Sequence, residues 1–83
     1  MVEATALSAS THPILHEIFI NKQLYRVSTH VLTGTELKRL AGIPADNQLF
    51  LEAHPKDLPI GDGERVELKN GMHFYDVAPG NFG

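Results

Sequence analysis

From Ile14 to Asn21 the chain reads ILHEIFIN, and in an extended conformation Ile18 and Ile20 share one side while Glu17, Phe19 and Asn21 share the other. Leu24 to Thr29 repeats the alternation, with Tyr25 and Val27 on one side and Leu24, Arg26 and Ser28 on the other. Period-two alternation of this kind marks half-buried strands, and the short polar link Asn21-Lys22-Gln23 predicts an antiparallel hairpin. Gln48 to Ala53 predicts a third strand, with Leu49 and Leu51 opposite Phe50 and Glu52. Glu64 to Leu68 predicts a fourth, with Val66 and Leu68 inward. Asn70-Gly71 signals a tight hairpin turn before a last strand over Met72 to Val77. The parity of that strand is open: either Met72 and Phe74 point inward, or His73, Tyr75 and Val77 do. Phe74 is the preferred inward residue. Residues 54–62 contain Pro55, Pro59 and Gly61 and read as an irregular loop.

One stretch has helical rather than extended character. Thr33-Gly34-Thr35-Glu36 fits a capping box, with Thr33 as the N-cap and Glu36 reaching back to it; Leu32 and Leu37 are placed for a hydrophobic staple. Leu37, Leu40 and Ala41 recur at helical spacing, which turns Lys38 and Arg39 to water. Gly42 stops the helix in a left-handed conformation and Pro44 forbids its continuation. Two turns are too few to persist alone, so this helix is expected to lie on the sheet. A single helix covers one sheet face and leaves the other open. The outward residues Phe19, Phe50, His73 and Tyr75 are therefore a candidate partner-binding face, either a contiguous patch or a scatter of single aromatics.

Composition narrows the function classes. The 83 residues suffice for one small domain with a thin core. Residues 1–13 are small and polar and read as a flexible leader, residues 14–78 as the domain and residues 79–83 as a tail. Cysteine is absent, which excludes disulfides, thiolate metal sites and a cysteine nucleophile in this chain. Seven basic residues against ten acidic ones give a net charge of −3, which argues against nucleic acid as a ligand. No apolar run approaches the roughly 20 residues of a membrane span, and Met1-Val2-Glu3-Ala4 lacks the basic region of a secretory signal, so the expected location is cytoplasmic.

The segment from Glu17 to Val77 has the ββαβ-loop-ββ order of the ubiquitin-like β-grasp fold. Ile18-Phe19-Ile20-Asn21-Lys22, the helix entry Leu32-Thr33-Gly34-Thr35-Glu36-Leu37 and the exit Ala41-Gly42-Ile43-Pro44 resemble bacterial ubiquitin-like proteins of the multiubiquitin type, here in one copy. The resemblance implies an α+β fold, with a mixed sheet of four to five strands and one helix on one face. It also implies a set of partners: an adenylating activating enzyme that uses ATP, a conjugating enzyme, a deubiquitinase-like protease and a target protein. Some such sets act in phage defence. The chain itself is then an acyl donor with no catalytic residue and no cofactor.

On that resemblance the chemistry concentrates in Gly83, whose carboxylate is adenylated, transferred to a cysteine of the activating enzyme and passed to an amine. A glycine there has no Cβ, so an extended tail enters a narrow channel and is attacked without hindrance. Pro79, Gly80, Asn81 and Phe82 form the projecting tail. Ubiquitin-type tails end in two glycines, whereas Phe82 precedes Gly83 here, which calls for an adapted channel. Lys22, Lys38, Lys56 and Lys69 are candidate acceptor amines for chain formation.

Other chemistry-bearing residues point elsewhere. His12, His16, His30, His54 and His73 follow no metal-ligand spacing, and no metal site is expected. His16 and His73 become neighbours if the first and last strands pair. Asp57, Asp62, Glu64 and Glu67 flank one loop, where charges ordinarily keep a loop solvated, and Asp62-Gly63 reads as a turn. Two other functions fit the same chain. One is a non-covalent or self-associating module that uses the open sheet face; the other is a sulfur carrier activated as a terminal thiocarboxylate.

Overall fold

The computed structural model describes residues 15–80. The leader 1–13 and the tail residues Asn81, Phe82 and Gly83 lie outside the described residues.

Strands β1 (His16–Ile20) and β2 (Gln23–Val27) pair antiparallel, with Ile20 opposite Gln23. Asn21 and Lys22 are left as a two-residue turn with φ of 53° and 69°. Positive φ at both central positions matches the right-handed twist of the flanking strands, which is why the hairpin closes here. Strand β3 (Val31–Thr33) leads directly into helix α1 (Gly34–Ala41). Four further strands follow: β4 (Gln48–Leu51), β5 (Leu58–Ile60), β6 (Arg65–Glu67) and β7 (His73–Val77).

The five-stranded sheet has the order β2-β1-β7-β4-β5, and β3 and β6 form a separate two-stranded sheet. Within the larger sheet, β1 and β7 run parallel while the other neighbours are antiparallel. With one helix against a mixed sheet, this is the ubiquitin-like α+β architecture that the element order predicted. Strand β5 lies inside the segment expected to be an irregular loop. Pro59 obscured it, and a proline is tolerated there because β5 is an edge strand.

Helix α1 begins as expected. The Thr33 side chain accepts from the Glu36 N–H at 3.2 Å and the Glu36 carboxylate accepts from the Thr33 N–H at 2.8 Å. At the other end Gly42 has φ 70°, its N–H donates to the Arg39 carbonyl, and the Ile43 N–H donates to the Lys38 carbonyl at 2.8 Å. This pair of bonds closes the helix and satisfies carbonyls that the last turn leaves free. The loop before β6 holds the helix start from outside: the Gly34 N–H donates to the Glu64 carbonyl and the Thr35 N–H to the Asp62 carbonyl. A Cβ at position 34 would overlap the Gly61 carbonyl, so only glycine permits this approach.

The core comprises Ile18, Ile20, Leu37, Leu49, Ile60, Val66, Leu68 and Phe74, with Tyr25, Val27, Leu32, Ala41, Ile43, Leu51 and Met72 packed against it. Phe74 is thus the inward residue of the last strand. The expected outward turn of Lys38 is corrected: Lys38 is 6% exposed, whereas Leu40 is 39% exposed. The helix is rotated so that the Lys38 ammonium reaches the Asp62 carboxylate at 2.7 Å and the Ala45 carbonyl at 2.9 Å. A long side chain can bury its methylene stem in this way while its head is paired.

Asn70-Gly71 does form a turn, with Gly71 at φ 89° and the Met72 N–H donating to the Lys69 carbonyl. It does not make a hairpin, because β6 pairs with β3 whereas β7 pairs with β1 and β4. The turn carries the chain from one sheet to the other. It is anchored by the Glu17 N–H to Asn70 Oδ1 and by the Gly71 N–H to the Glu17 carbonyl, both at 2.8 Å.

Candidate functional site

Strand register decides whether the outward residues form a patch. Phe19 on β1 lies beside His73 on β7, and Phe50 on β4 lies beside Tyr75 on β7. Since His73 and Tyr75 are two apart on one strand, all four residues share the face opposite the core. The Phe19 and His73 rings stack with centroids 4.5 Å apart and planes 7° from parallel. The Phe50 and Tyr75 rings stack at 5.3 Å and 15°. Leu24, opposite Phe19 on β2, and Pro59, opposite Phe50 on β5, extend the two rows to the edges of the sheet. The four candidate residues are therefore brought together in two stacked pairs. Pro59 was missed as a member of this face because it lies on β5, within the segment expected to be a loop, and Leu24, although assigned to the outer side of β2, was not included in the expected patch.

The Tyr75 hydroxyl donates to Asp57 Oδ2, and Asp57 Oδ1 accepts from the Ala53 N–H at 3.0 Å. The loop after β4 is tied in this way to the middle of the aromatic face. The bond from the Tyr75 hydroxyl, aided by the Ala53 N–H, holds the Asp57 carboxyl below its ordinary range. The same bond, reinforced by the negative charges of Asp57 and Glu52, raises the Tyr75 phenol above its ordinary value. A tyrosine fixed at its hydroxyl presents its ring in one orientation. Beside the Phe19–His73 pair, an open cleft is lined by Glu52, Ala53, His54, Asp57, Gly71 and His73. On the other side of the face, Arg26 and Glu17 form an exposed ion pair at 3.0 Å.

The remaining candidates separate. Lys22 sits at the tip of the β1–β2 turn, Lys56 in the β4–β5 connection and Lys69 beside the Asn70-Gly71 turn, all exposed. Lys38 does not belong with them, since its ammonium is buried against Asp62 and Ala45. The expected neighbours His16 and His73 are apart. Although β1 and β7 do pair, the register sets Phe19 beside His73, and His16, three residues earlier, points to the opposite face. His16 instead meets His30, with Nε2 and Nδ1 3.0 Å apart.

Of the acidic residues around the loop, Asp57, Asp62 and Glu64 are engaged in structural bonds rather than paired with one another. Asp57 accepts from Tyr75, Asp62 from Lys38, and Glu64 Oε1 from the Gly61 N–H at 3.1 Å. A network outside the expectation surrounds Asp76: its two oxygens accept from Asn21 Nδ2 and Asn47 Nδ2, each at 2.7 Å. These amides, Asn47 foremost, lower the Asp76 carboxyl below its ordinary range against the opposing effect of burial. No group of three or more His, Cys, Asp or Glu residues able to hold a metal occurs among the described residues. No helix among them is long and apolar enough to cross a membrane. The chain leaves the sheet at Val77 and turns at Pro79-Gly80, where Gly80 has φ 89°.

Comparison with known proteins gives one result. The family model described as multiubiquitin matches residues 16–80, which takes in every strand and the helix. No curated protein and no solved structure matches the chain. With the grasp architecture already in place, the span of the family match identifies this chain as a member of the multiubiquitin family.

Proposed function

We propose that the chain is a ubiquitin-like protein modifier of a bacterial antiphage conjugation pathway, activated at the carboxylate of Gly83. In the activating enzyme the carboxylate attacks the α-phosphorus of ATP, forming the acyl adenylate and releasing pyrophosphate. A cysteine thiolate of the enzyme then displaces AMP to give a thioester. A conjugating enzyme carries the acyl group onward, and an amine of the target protein displaces the thiolate to leave an amide. A deubiquitinase-like protease hydrolyses that amide. The modifier supplies the acyl group, whose carboxylate attacks ATP, and a surface for recognition, while its partners supply the cysteine thiolates.

The observation that carries this reading is the multiubiquitin match over residues 16–80 on a β-grasp body. The end of the sheet is consistent with it: β7 ends at Val77 and is followed by a turn at Pro79 and Gly80. Exposed Lys22, Lys56 and Lys69 are the acceptor amines consistent with chain formation, and Lys38 is not. The test is co-expression of the chain with its activating and conjugating enzymes, followed by intact-mass analysis. Adducts of higher mass are expected and should disappear when Gly83 is deleted. Adducts that persist after the deletion would refute activation at this residue.

The stacked aromatic face favours a second reading, a non-covalent interaction module. Aromatic surface of this kind anchors many protein contacts. If that is the whole function, complexes survive deletion of Gly83 but are lost when Phe19 and Phe50 are replaced by serine.

A further inference from the structure

His16 opens β1, and His30 ends the connection between β2 and β3. The hairpin register sets His16 opposite Val27, so the chain needs only residues 28–30 to bring His30 back over it. The backbone of His30 is held independently, since the Leu68 N–H donates to its carbonyl at 2.7 Å. The two imidazoles meet edge to face, centroids 5.0 Å apart and planes at 65°, with His16 Nε2 3.0 Å from His30 Nδ1.

We propose that this pair is a bidentate site for a divalent transition metal with high affinity for imidazole, Cu(II) above Ni(II). The juxtaposition carries the inference: two imidazole nitrogens already 3.0 Å apart both reach one ion once the rings rotate to aim their lone pairs at it. Among these metals Cu(II) has the highest affinity for imidazole.

The protons balance without loss from either neutral ring. In the hydrogen bond one ring nitrogen donates and the other accepts. Metal binding requires both facing nitrogens as acceptors, so the donating ring's proton moves from its facing nitrogen to its far one. No third His, Cys, Asp or Glu completes the site among the described residues, so water fills the remaining positions and the metal exchanges readily. Because His16 lies on the opposite face from Phe19, a metal here leaves the aromatic face unobstructed. Its effect on the fold is to tie the start of β1 to the segment before β3. Mass action then stabilises the native state when the metal is present.

The test uses the full chain titrated with copper sulfate in a non-chelating buffer. Calorimetry reads the affinity, and the copper visible absorption and electron paramagnetic resonance spectra read the ligands. Two nitrogen ligands and a copper-dependent rise in Tm are expected. The substitutions His16→Gln and His30→Asn keep a polar atom near each facing nitrogen while removing the imidazole, and circular dichroism checks that the variants fold. Each should weaken Cu(II) binding by at least about tenfold and abolish the rise in Tm, while His73→Gln leaves both unchanged. Wild-type affinity in the double variant would overturn the site. A Zn(II) affinity equal to that of Cu(II) would overturn the assignment to copper.

Discussion

The two faces of the five-stranded sheet are made by the same strands yet differ in chemistry. Toward the helix lie Ile18, Ile20, Leu49, Ile60 and Phe74, all buried. Away from it lie Phe19, Phe50, His73 and Tyr75, packed mainly as stacked pairs. On β7 the difference arises between adjacent residues: Phe74 is 1% exposed, and its neighbours His73 and Tyr75 point to the other side. The inner face secures the fold by removing apolar surface from water. The outer face leaves part of its aromatic surface in contact with water, and its rings are ordered by stacking on one another and by the Tyr75–Asp57 bond. Substitutions should therefore divide into those that cost stability and those that cost binding.

The largest effect separates the faces directly. Phe74→Ala should cost about 3–5 kcal/mol, since it removes a fully buried aromatic from a core that cannot collapse around the loss. In a domain whose total stability is about 5–15 kcal/mol, that is a large share, enough to unfold much of the population at the lower end of the range. Phe50→Ala should cost about 1 kcal/mol, the scale of one aromatic pair, while removing partner binding. Urea denaturation of both variants measures the difference. Equal losses would mean that the outer face also belongs to the core.

An intermediate effect concerns the ion pair on the helix side. Lys38 is buried, whereas the Asp62 side chain is 60% exposed. Asp62→Ala leaves the buried ammonium with the Ala45 carbonyl as its remaining partner and should cost about 2 kcal/mol, reduced by the water that reaches this side. Lys38→Met removes the buried charge, keeps the stem and leaves Asp62 free to hydrate, so it should cost less than about 1 kcal/mol. Thermal denaturation of the two variants gives the order, and a larger loss from Lys38→Met would refute it.

These particulars also show what local sequence could convey. The capping box at Thr33 and Glu36 and the stop at Gly42 were legible because each depends on a few neighbouring residues, whereas alternation left the parity of β7 open and only preferred Phe74 inward. Phe19 and Phe50 could be assigned outward by alternation, and His73 and Tyr75 only on the preferred inward placement of Phe74. Their contiguity could not, because it depends on the pairing of β7 with both β1 and β4. Asn70-Gly71 announced a turn correctly but carried no information about which sheet the next strand would join. Lys38 was misplaced for the same reason: its partner Asp62 is 24 residues away and reaches it only through the loop before β6. The Asp57–Tyr75 tether is likewise visible only once β4 and β7 are side by side.

The smallest effect sets one carboxylate from each side of the sheet against pH. Asp76 is held by Asn21 and Asn47 on the core side, and Asp57 by Tyr75 on the aromatic side. Both carboxyls titrate below their ordinary range in the folded protein. A depressed folded pKa means that the unfolded chain binds protons first as pH falls. Each group therefore contributes its full stabilisation above the unfolded value of about 3.9 and loses it as pH drops through the folded value. Asp76→Asn sets an amide among amide donors, so it should lower Tm near pH 7, with the difference from the unmodified chain shrinking below about pH 4. Tyr75→Phe removes the donor to Asp57 and should act in the same direction but less, because both of those groups stand in contact with water. Tyr75 itself gives the opposite limb. Its raised folded pKa stabilises the protein below the unfolded value of about 10, and that contribution fades as pH rises through the folded value. Tm measured from pH 2 to pH 11 should then show an acid limb flattened mainly by Asp76→Asn and an alkaline limb flattened only by Tyr75→Phe. An acid limb governed by Tyr75→Phe would instead place the stronger carboxylate anchor on the outer face.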